Sequence, residues 1–236
     1  MSTYVTSDIH GCYDEFIEML DLIDFKTSDN LYVLGDVVDR QDGGIDLLEF
    51  IRGSENITLL KGNHEQMMYD ALTNNFTPIQ FDYWLLKNGG FPTYKAFMEL
   101  SHSERNVILN YVNELPEYKI IELNGVTYVL VHAGLRLIDG FDLNDLLKIQ
   151  GDDLLWIRTS FLNSKVKTDF KIIFGHTVTA TIPQYIKSRD DRTNQGLIWF
   201  DENKIGIDCG CSYGLRLSCL RLDDMKEFYI NKKDLD

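Results

Sequence analysis

The chain has 236 residues, 44% apolar and 12% aromatic, which is enough to bury a large core and excludes a disordered or a small disulfide-stapled protein. Lys and Arg total 23 against 37 Asp and Glu, a formal net charge of -14 that repels nucleic acid and anionic membranes at long range. No apolar run approaches the ~18 residues of a membrane span, and the start carries neither basic residues nor an apolar signal core, so a soluble cytoplasmic protein with no nucleic-acid or membrane partner is expected.

In chain order, the first third alternates between strand and helix. Residues 3–7 predict a buried strand and 12–24 a helix, in which Tyr13, Phe16, Ile17, Leu20 and Ile23 share one face. Asp14 and Glu15 lie in its first turn, where carboxylates suit the helix dipole. Strands follow at 31–34 and 57–61, with helices at 44–51 and 65–72. This alternation with short connections predicts α/β layering, helices covering a sheet. Residues 74–116 change character: helical stretches at 83–87, 94–100 and 104–115, broken by Asn88-Gly89-Gly90, predict a helical insertion over one sheet edge. Strands return at 119–123 and 126–131 around Asn124-Gly125, a strong hairpin turn. Short helices are expected at 143–147 and 152–157, then strands at 171–174, 197–200, 204–207, 215–222 and 227–230. That ending suits a mixed sheet or two packed sheets better than a purely parallel one. Residues 1–236 are expected to form one domain.

Four of the five histidines directly follow strand-like runs. They stand in Asp8-Ile9-His10-Gly11, Gly62-Asn63-His64-Glu65, Val131-His132-Ala133-Gly134 and Phe174-Gly175-His176-Thr177. Gly35-Asp36-Val37-Val38-Asp39-Arg40 ends the second strand in the same way. In layered α/β proteins such loops converge on the ligand crevice. Imidazoles, carboxylates and an Asn gathered there suit borderline cations such as Mn²⁺, Fe²⁺ or Zn²⁺, and a carboxylate can bridge two of them. Any one of these histidines alone reads as an ordinary satisfied residue; five such segments together do not. An acidic protein would repel an anionic substrate as well, and bound cations would reverse that potential locally.

These segments resemble the phosphoprotein phosphatase family of calcineurin-like metallophosphoesterases, in its bacterial and phage serine/threonine phosphatase branch. The family order D-x-H-G, G-D-x-x-D-R, G-N-H-E, H-A-G and G-H-T is reproduced in full. At about 5% usage per residue type, Gly-Asp-x-x-Asp-Arg alone arises by chance on the order of once in a thousand chains of this size. The likeness extends to Leu155-Trp156-Ile157-Arg158 and to the closing Ile207-Asp208-Cys209-Gly210 with Tyr213-Gly214, so it covers nearly the whole chain. The implied fold is α/β, layered mixed β-sheets forming a β-sandwich core flanked by helices. The implied cofactor is a pair of divalent metal ions, Mn²⁺ first, with Fe or Zn as alternatives. Asp8 and His10 would bind one, Asp36 would bridge both, and Asn63, His132 and His176 would complete the second. His64 would be the general acid, oriented by Asp39, with Arg40 and Arg158 clamping the phosphoryl oxygens.

The activity this implies is hydrolysis of phosphomonoesters, phosphoserine or phosphothreonine in proteins, by attack of a hydroxide shared between the cations. The opening Asp8–Glu15 segment is also similar to that of symmetrical dinucleoside polyphosphate hydrolases, which is the alternative activity. A non-catalytic metal-dependent binding module is a third reading, but every expected position is filled. Ser7, Gln41 and Lys61 depart from the family pattern, and Lys61 is read as a weaker third phosphate contact. Substrate, native metal and oligomeric state are left open. The remaining features read plainly: Trp84 and Trp156 as core anchors, with Trp84 also able to line the cleft; His102 as a helix-start or surface residue; and Cys12, Cys209, Cys211 and Cys219 as reduced packed thiols.

Overall fold

The computed structural model describes residues 1–146, 148, 151–186 and 191–232. Its first sheet is built from β1 (Thr3–Thr6), β2 (Asn30–Val33) and β3 (Ile57–Leu59), all parallel. The antiparallel β9 (Arg216–Arg221) and β10 (Lys226–Asn231) extend it beyond β1, giving the order β10-β9-β1-β2-β3. The second sheet runs β4-β5-β6-β8-β7, where β4 (Tyr118–Leu123) and β5 (Val126–Val131) form the hairpin. β6 (Lys171–Phe174) and β8 (Lys204–Gly206) continue parallel to β5, and β7 (Trp199–Asp201) closes the edge antiparallel. Both sheets are mixed, as expected.

The period-2 alternation of each strand decides which core its side chains enter. Val5, Leu130, Ile173, Ile205 and Leu220 meet between the two sheets. Their neighbours Tyr4, Leu31, Val33 and Cys219 point the other way, under the helices. Val129, Val131, Ile172 and Phe174 do the same on the outer face of the second sheet. Each fully buried aliphatic or aromatic side chain of this kind contributes about 1.5–3 kcal/mol.

The helices over the first sheet are α1 (Tyr13–Leu22), α2 (Gly44–Arg52) and α3 (Asn63–Leu72). In α1, Phe16 and Met19 are the buried apolar pair, at i and i+3, beside buried Glu15. The insertion is α4 (Pro78–Leu86), α5 (Phe91–Glu99) and α6 (His102–Glu114). α4 starts five residues before the expected position 83. Thr77 caps it, with Gln80 Oε1 accepting from Thr77 N at 3.0 Å and Pro78 at the first helical position. α6 opens the same way from Ser101 and Glu104, with exposed His102 as its first residue.

Over the second sheet lie the short α7 (Leu143–Leu146), α8 (Asp152–Trp156) and α9 (Thr159–Asn163). The last was not expected; it forms because Phe161 and Leu162 bury against that sheet. Leu147, in the expected 143–147 helix, lies outside the described residues. A six-residue 3-10 turn at Thr179–Gln184, α10 (Asp191–Asn194) and a 3-10 turn at Cys211–Tyr213 complete the elements. No described helix is long and apolar enough to cross a membrane. All four cysteines are buried and unpaired.

Candidate metal centre and active site

The parallel strands of both sheets end toward one crevice, and their exits carry the motif residues. β1 leads to Asp8 and His10, β2 to Asp36, Asp39 and Arg40, β5 to His132 and β6 to His176. Asn63 and His64 open α3 just beyond β3. Backbone bonds knit the exits together: Asp8 N donates to Gly35 O at 3.1 Å, His10 N to Asp36 O at 2.9 Å and Gly175 N to His132 O at 2.8 Å. His176 N, from the second sheet, donates to Asp8 Oδ2 at 2.9 Å, in the first. Asp8, His10, Asp36, Asp39, Arg40 and His176 all take positive φ, between 49° and 73°. For non-glycine residues this left-handed conformation is costly and gathers at functional sites.

Asp36 sits at the middle. Its Oδ2 is 3.5 Å from His10 Nε2, and its Oδ1 is 3.4 Å from His132 Nε2. Two groups of donor atoms form around it, His10–Asp36–His64 and Asp36–His132–His176, each with all atoms within 4.8 Å of one another. Asp8 Oδ1 approaches His10 Nε2 at 4.0 Å, and Asn63 Oδ1 lies 2.8 Å from His132 Nε2.

The hydrogen bonds test whether cations fit. His10 Nδ1 donates to Val38 O at 2.9 Å and His132 Nδ1 to Leu34 O at 2.7 Å. In the neutral imidazole each bond leaves Nε2 as a bare lone pair, the arrangement that orients a metal-binding histidine. His10 Nε2 is buried with no hydrogen-bond partner among the described residues, and so is His176 Nε2, which carries the proton when His176 Nδ1 accepts from Arg158. His132 Nε2 faces an amide oxygen, the Asp36 carboxylate and, at 3.2 Å, His176 Nδ1. An acceptor ringed by acceptors is satisfied by a cation. Burial pushes the His10 and His176 imidazoles well below their ordinary pKa, which keeps their lone pairs free. Burial and the Asp36 charge push the Asp8 carboxyl up, a cost that bound cations remove.

The remaining motif residues converge on the same space. His64 Nδ1 donates to Asp39 Oδ2 at 2.7 Å, and its Nε2 lies 3.8 Å from Asp36 Oδ2 and 3.3 Å from an Arg40 nitrogen. Burial would lower the His64 pKa, but Asp36 and the Asp39 hydrogen bond outweigh it and hold it above the usual imidazole value. Arg158 lies on the opposite side, 3.4 Å from His176 Nδ1. Between the arginines opens a cleft of about 400 Å³, lined by Arg40, Arg158, His176, Thr177, Asp208 and Tyr213.

Residues 1–214 match the protein family described as calcineurin-like phosphoesterase. The chain belongs to that family. It is 43% identical over 67 residues to the symmetrical bis(5'-nucleosyl)-tetraphosphatase of Enterobacter sp. (strain 638), spanning 28% of this chain and only 24% of that protein. It is 28% identical over 182 residues to serine/threonine-protein phosphatase 2 of Salmonella typhimurium, spanning 74% of this chain and 79% of that one. Among solved structures it superposes on a candidate diadenosine tetraphosphatase with a TM-score of 0.66 at 17% identity, covering 99% of this chain and 94% of that one. The shared fold therefore extends along the chain, whereas the tetraphosphatase relative is matched over less than half its length. Members of this family carry a dinuclear divalent metal centre, and the grouping around Asp36 is where this calcineurin-like phosphoesterase would hold one.

Several side chains differ from their sequence reading. Lys61 does not reach the cleft: its Nζ donates to Asn113 O at 3.1 Å, in the last turn of α6, where a cation suits the helix dipole. Trp156 is not a core anchor; it is 41% exposed and meets His176 edge-on, with ring centroids 6.1 Å apart. Ser7, where the family pattern has Gly, donates its hydroxyl to Asp8 Oδ2 at 2.5 Å. The neighbouring Gly175 is obligatory, because a Cβ there would stand 2.0 Å from Ser7 Oγ and 2.1 Å from Asp8 Oδ2. Ser212 also escaped the sequence: Arg40 donates to Ser212 Oγ at 3.1 Å, and it stacks 4.7 Å from the ring centre of Tyr213, in the closing segment of the resemblance.

Glu65 has a role that the motif letters do not disclose. Wholly buried, it accepts from Gly62 N and Asp36 N at Oε2 and from Val37 N and Val38 N at Oε1, at 2.7 to 3.3 Å. One carboxylate thus satisfies four backbone donors and ties the β2 exit to α3. Glu65→Gln keeps the shape but turns an NH₂ group toward two of those donors. Urea unfolding should show a loss of about 3 kcal/mol, two charge-assisted bonds at ~1.5 kcal/mol each.

Proposed function

We propose that this calcineurin-like phosphoesterase hydrolyses phosphomonoesters, phosphoserine and phosphothreonine in proteins. The carrying observation is Asp36, set between the Nε2 atoms of His10 and His132 at 3.5 and 3.4 Å, with His176, both arginines and His64 on the same crevice. In this reading Asp8 and His10 would hold one cation, Asn63, His132 and His176 the other, with Asp36 available to both. Mn²⁺ is the proposed ion, with Fe and Zn as alternatives that the same donors also suit. Bound cations supply Lewis acidity and an activated water. Arg40 and Arg158 hold the phosphoryl oxygens through charged, forked donors. His64 gives the proton on Nε2 to the leaving oxygen, while Asp39 accepts Nδ1–H and keeps that tautomer.

Among the sequence relatives, the longer alignment supports a protein substrate: 79% of the serine/threonine phosphatase is aligned, against 24–44% of the tetraphosphatases. A second reading, hydrolysis of symmetrical dinucleoside polyphosphates, draws on Trp156 and on the 61%-exposed Tyr213, aromatic faces at the rim on which bases could stack. A panel containing a phosphoserine peptide and diadenosine tetraphosphate separates them. Inorganic phosphate from the peptide, with kcat/KM at least tenfold above that for nucleotide release, is expected. The reverse order would replace the first reading by the second. Rigorous chelation should abolish hydrolysis, and Mn²⁺ should restore it with two ions per chain by elemental analysis. Full turnover by metal-free protein would refute the reading.

A further inference from the structure

We infer that the helical insertion is a working part of the catalytic centre, in which Trp84 is a positioning residue that holds Asp39 in place to orient His64. The inference rests on the reading of His64 as the general acid.

Asp39 is fully buried, and its Oδ1 has no hydrogen-bond partner among the described residues. Its carboxylate is therefore oriented through Oδ2, which among the described residues accepts from two donors: His64 Nδ1 at 2.7 Å and Trp84 Nε1 at 2.9 Å. The donors are unlike. The imidazole must present its other nitrogen to a substrate, whereas the indole is locked. Trp84 has 0% exposure, Phe81 packs on it edge-on at 5.8 Å, and a Cβ on Gly90 would stand 2.4 Å from its ring. A buried, immobile N–H is the fixed point against which the carboxylate, and then the imidazole, is set.

The insertion also grips the backbone beneath. Asp39 and Arg40 are consecutive left-handed residues, with φ of 70° and 73°. Asp39 N donates to Thr93 Oγ1 at 2.8 Å, and Arg40 N donates to Gly89 O at 2.8 Å. Trp84, Gly89 and Thr93 come from α4, the following turn and the first part of α5. Three contacts from one short stretch thus define the residue that orients the acid and the backbone of a residue that clamps phosphate. None of the three is bonded to Asp8, His10, Asp36, Asn63, His132 or His176 among the described contacts, so their effect should separate from metal binding.

The test compares Trp84→Phe, an isosteric benzothiophene analogue of Trp84 that lacks only the N–H, Thr93→Val and His64→Asn. Each is assayed with Mn²⁺ on a phosphoserine peptide and on p-nitrophenyl phosphate. Folding is checked by circular dichroism and bound metal by elemental analysis. A phenolate leaves with little help, whereas a serine alkoxide needs the proton. The Trp84 and Thr93 variants should lose about tenfold or more in kcat on the peptide and less than about threefold on the aryl ester, with metal content and KM held. Placed in a His64→Asn background, Trp84→Phe should add less than about a twofold loss, because the group it positions is gone. Equal losses on both esters, or no loss in the isosteric analogue, would overturn the inference and return Trp84 to a packing role. If His64→Asn itself fails to discriminate between the esters, the general-acid reading falls first and the inference with it.

Discussion

Replacing His64 by Asn is expected to slow turnover of phosphoserine esters by ~10²–10⁴-fold, the usual worth of a positioned general acid, and to slow aryl phosphates far less. Its Nδ1 is committed to Asp39, and its Nε2 faces the crevice 3.8 Å from Asp36 and 3.3 Å from Arg40. That position is also within reach of a cation beside His10, since His10, Asp36 and His64 offer atoms within 4.8 Å of one another. Acid and ligand are therefore both open to this imidazole, and metal content decides between them. As an acid, His64→Asn retains both ions. As a ligand, it loses one and is impaired equally on alkyl and aryl esters. His176→Asn supplies the contrast: loss of second-site metal and equal impairment on both esters. A missing ion in His64→Asn would overturn the assignment.

Arg158→Ala and Arg40→Ala are each expected to lower kcat by ~10²–10³-fold, the loss typical of one preorganised donor to developing charge. Both guanidinium groups line the cleft beside His176 and Asp208, yet they are held differently. Arg40 is pinned by Ser212, by the face of Tyr213 and through its backbone N–H. Among the described residues, the Arg158 guanidinium makes only long contacts, at 3.4 Å, to the ring and carbonyl of His176. Lysine at either place should recover only part of the rate, because a point charge lacks the planar fork. Weaker product inhibition by inorganic phosphate should accompany each loss, with metal content unchanged. Near-normal kinetics in Arg158→Ala would remove that residue from the site.

What could be read from the sequence was local. Strand and helix periodicity in the first third, the Asn124-Gly125 hairpin and the β-rich ending all depend on side chains a few residues apart, and each is present in the fold. The polar residues of the five loops were legible for a related reason: each directly follows a strand, and parallel strands ending together carry their exits into one crevice. The family pattern turned that donor set into an expectation of two cations and an acid. Local signals were also misread. Thr77-Pro78-Ile79-Gln80 is a capping sequence, and it starts α4 five residues before the apolar pattern suggested.

Tertiary structure alone decided how those side chains are held. Asp39 and Trp84 are 45 residues apart, and nothing in the spacing of either announces their 2.9 Å bond. Lys61 stands beside Gly62-Asn63-His64-Glu65, yet its side chain runs to a carbonyl of α6, because the end of that helix lies beside it and Lys61 N also donates to Pro116 O just beyond. Trp156 reads as a core residue by composition and emerges at the rim beside His176. Ser7 reads as a missing glycine and becomes a hydrogen-bond donor to Asp8. Periodicity reports which face of an element is buried. Which polar atom meets which is set by the packing of elements distant in the chain, where a shift of one residue in register exchanges every partner.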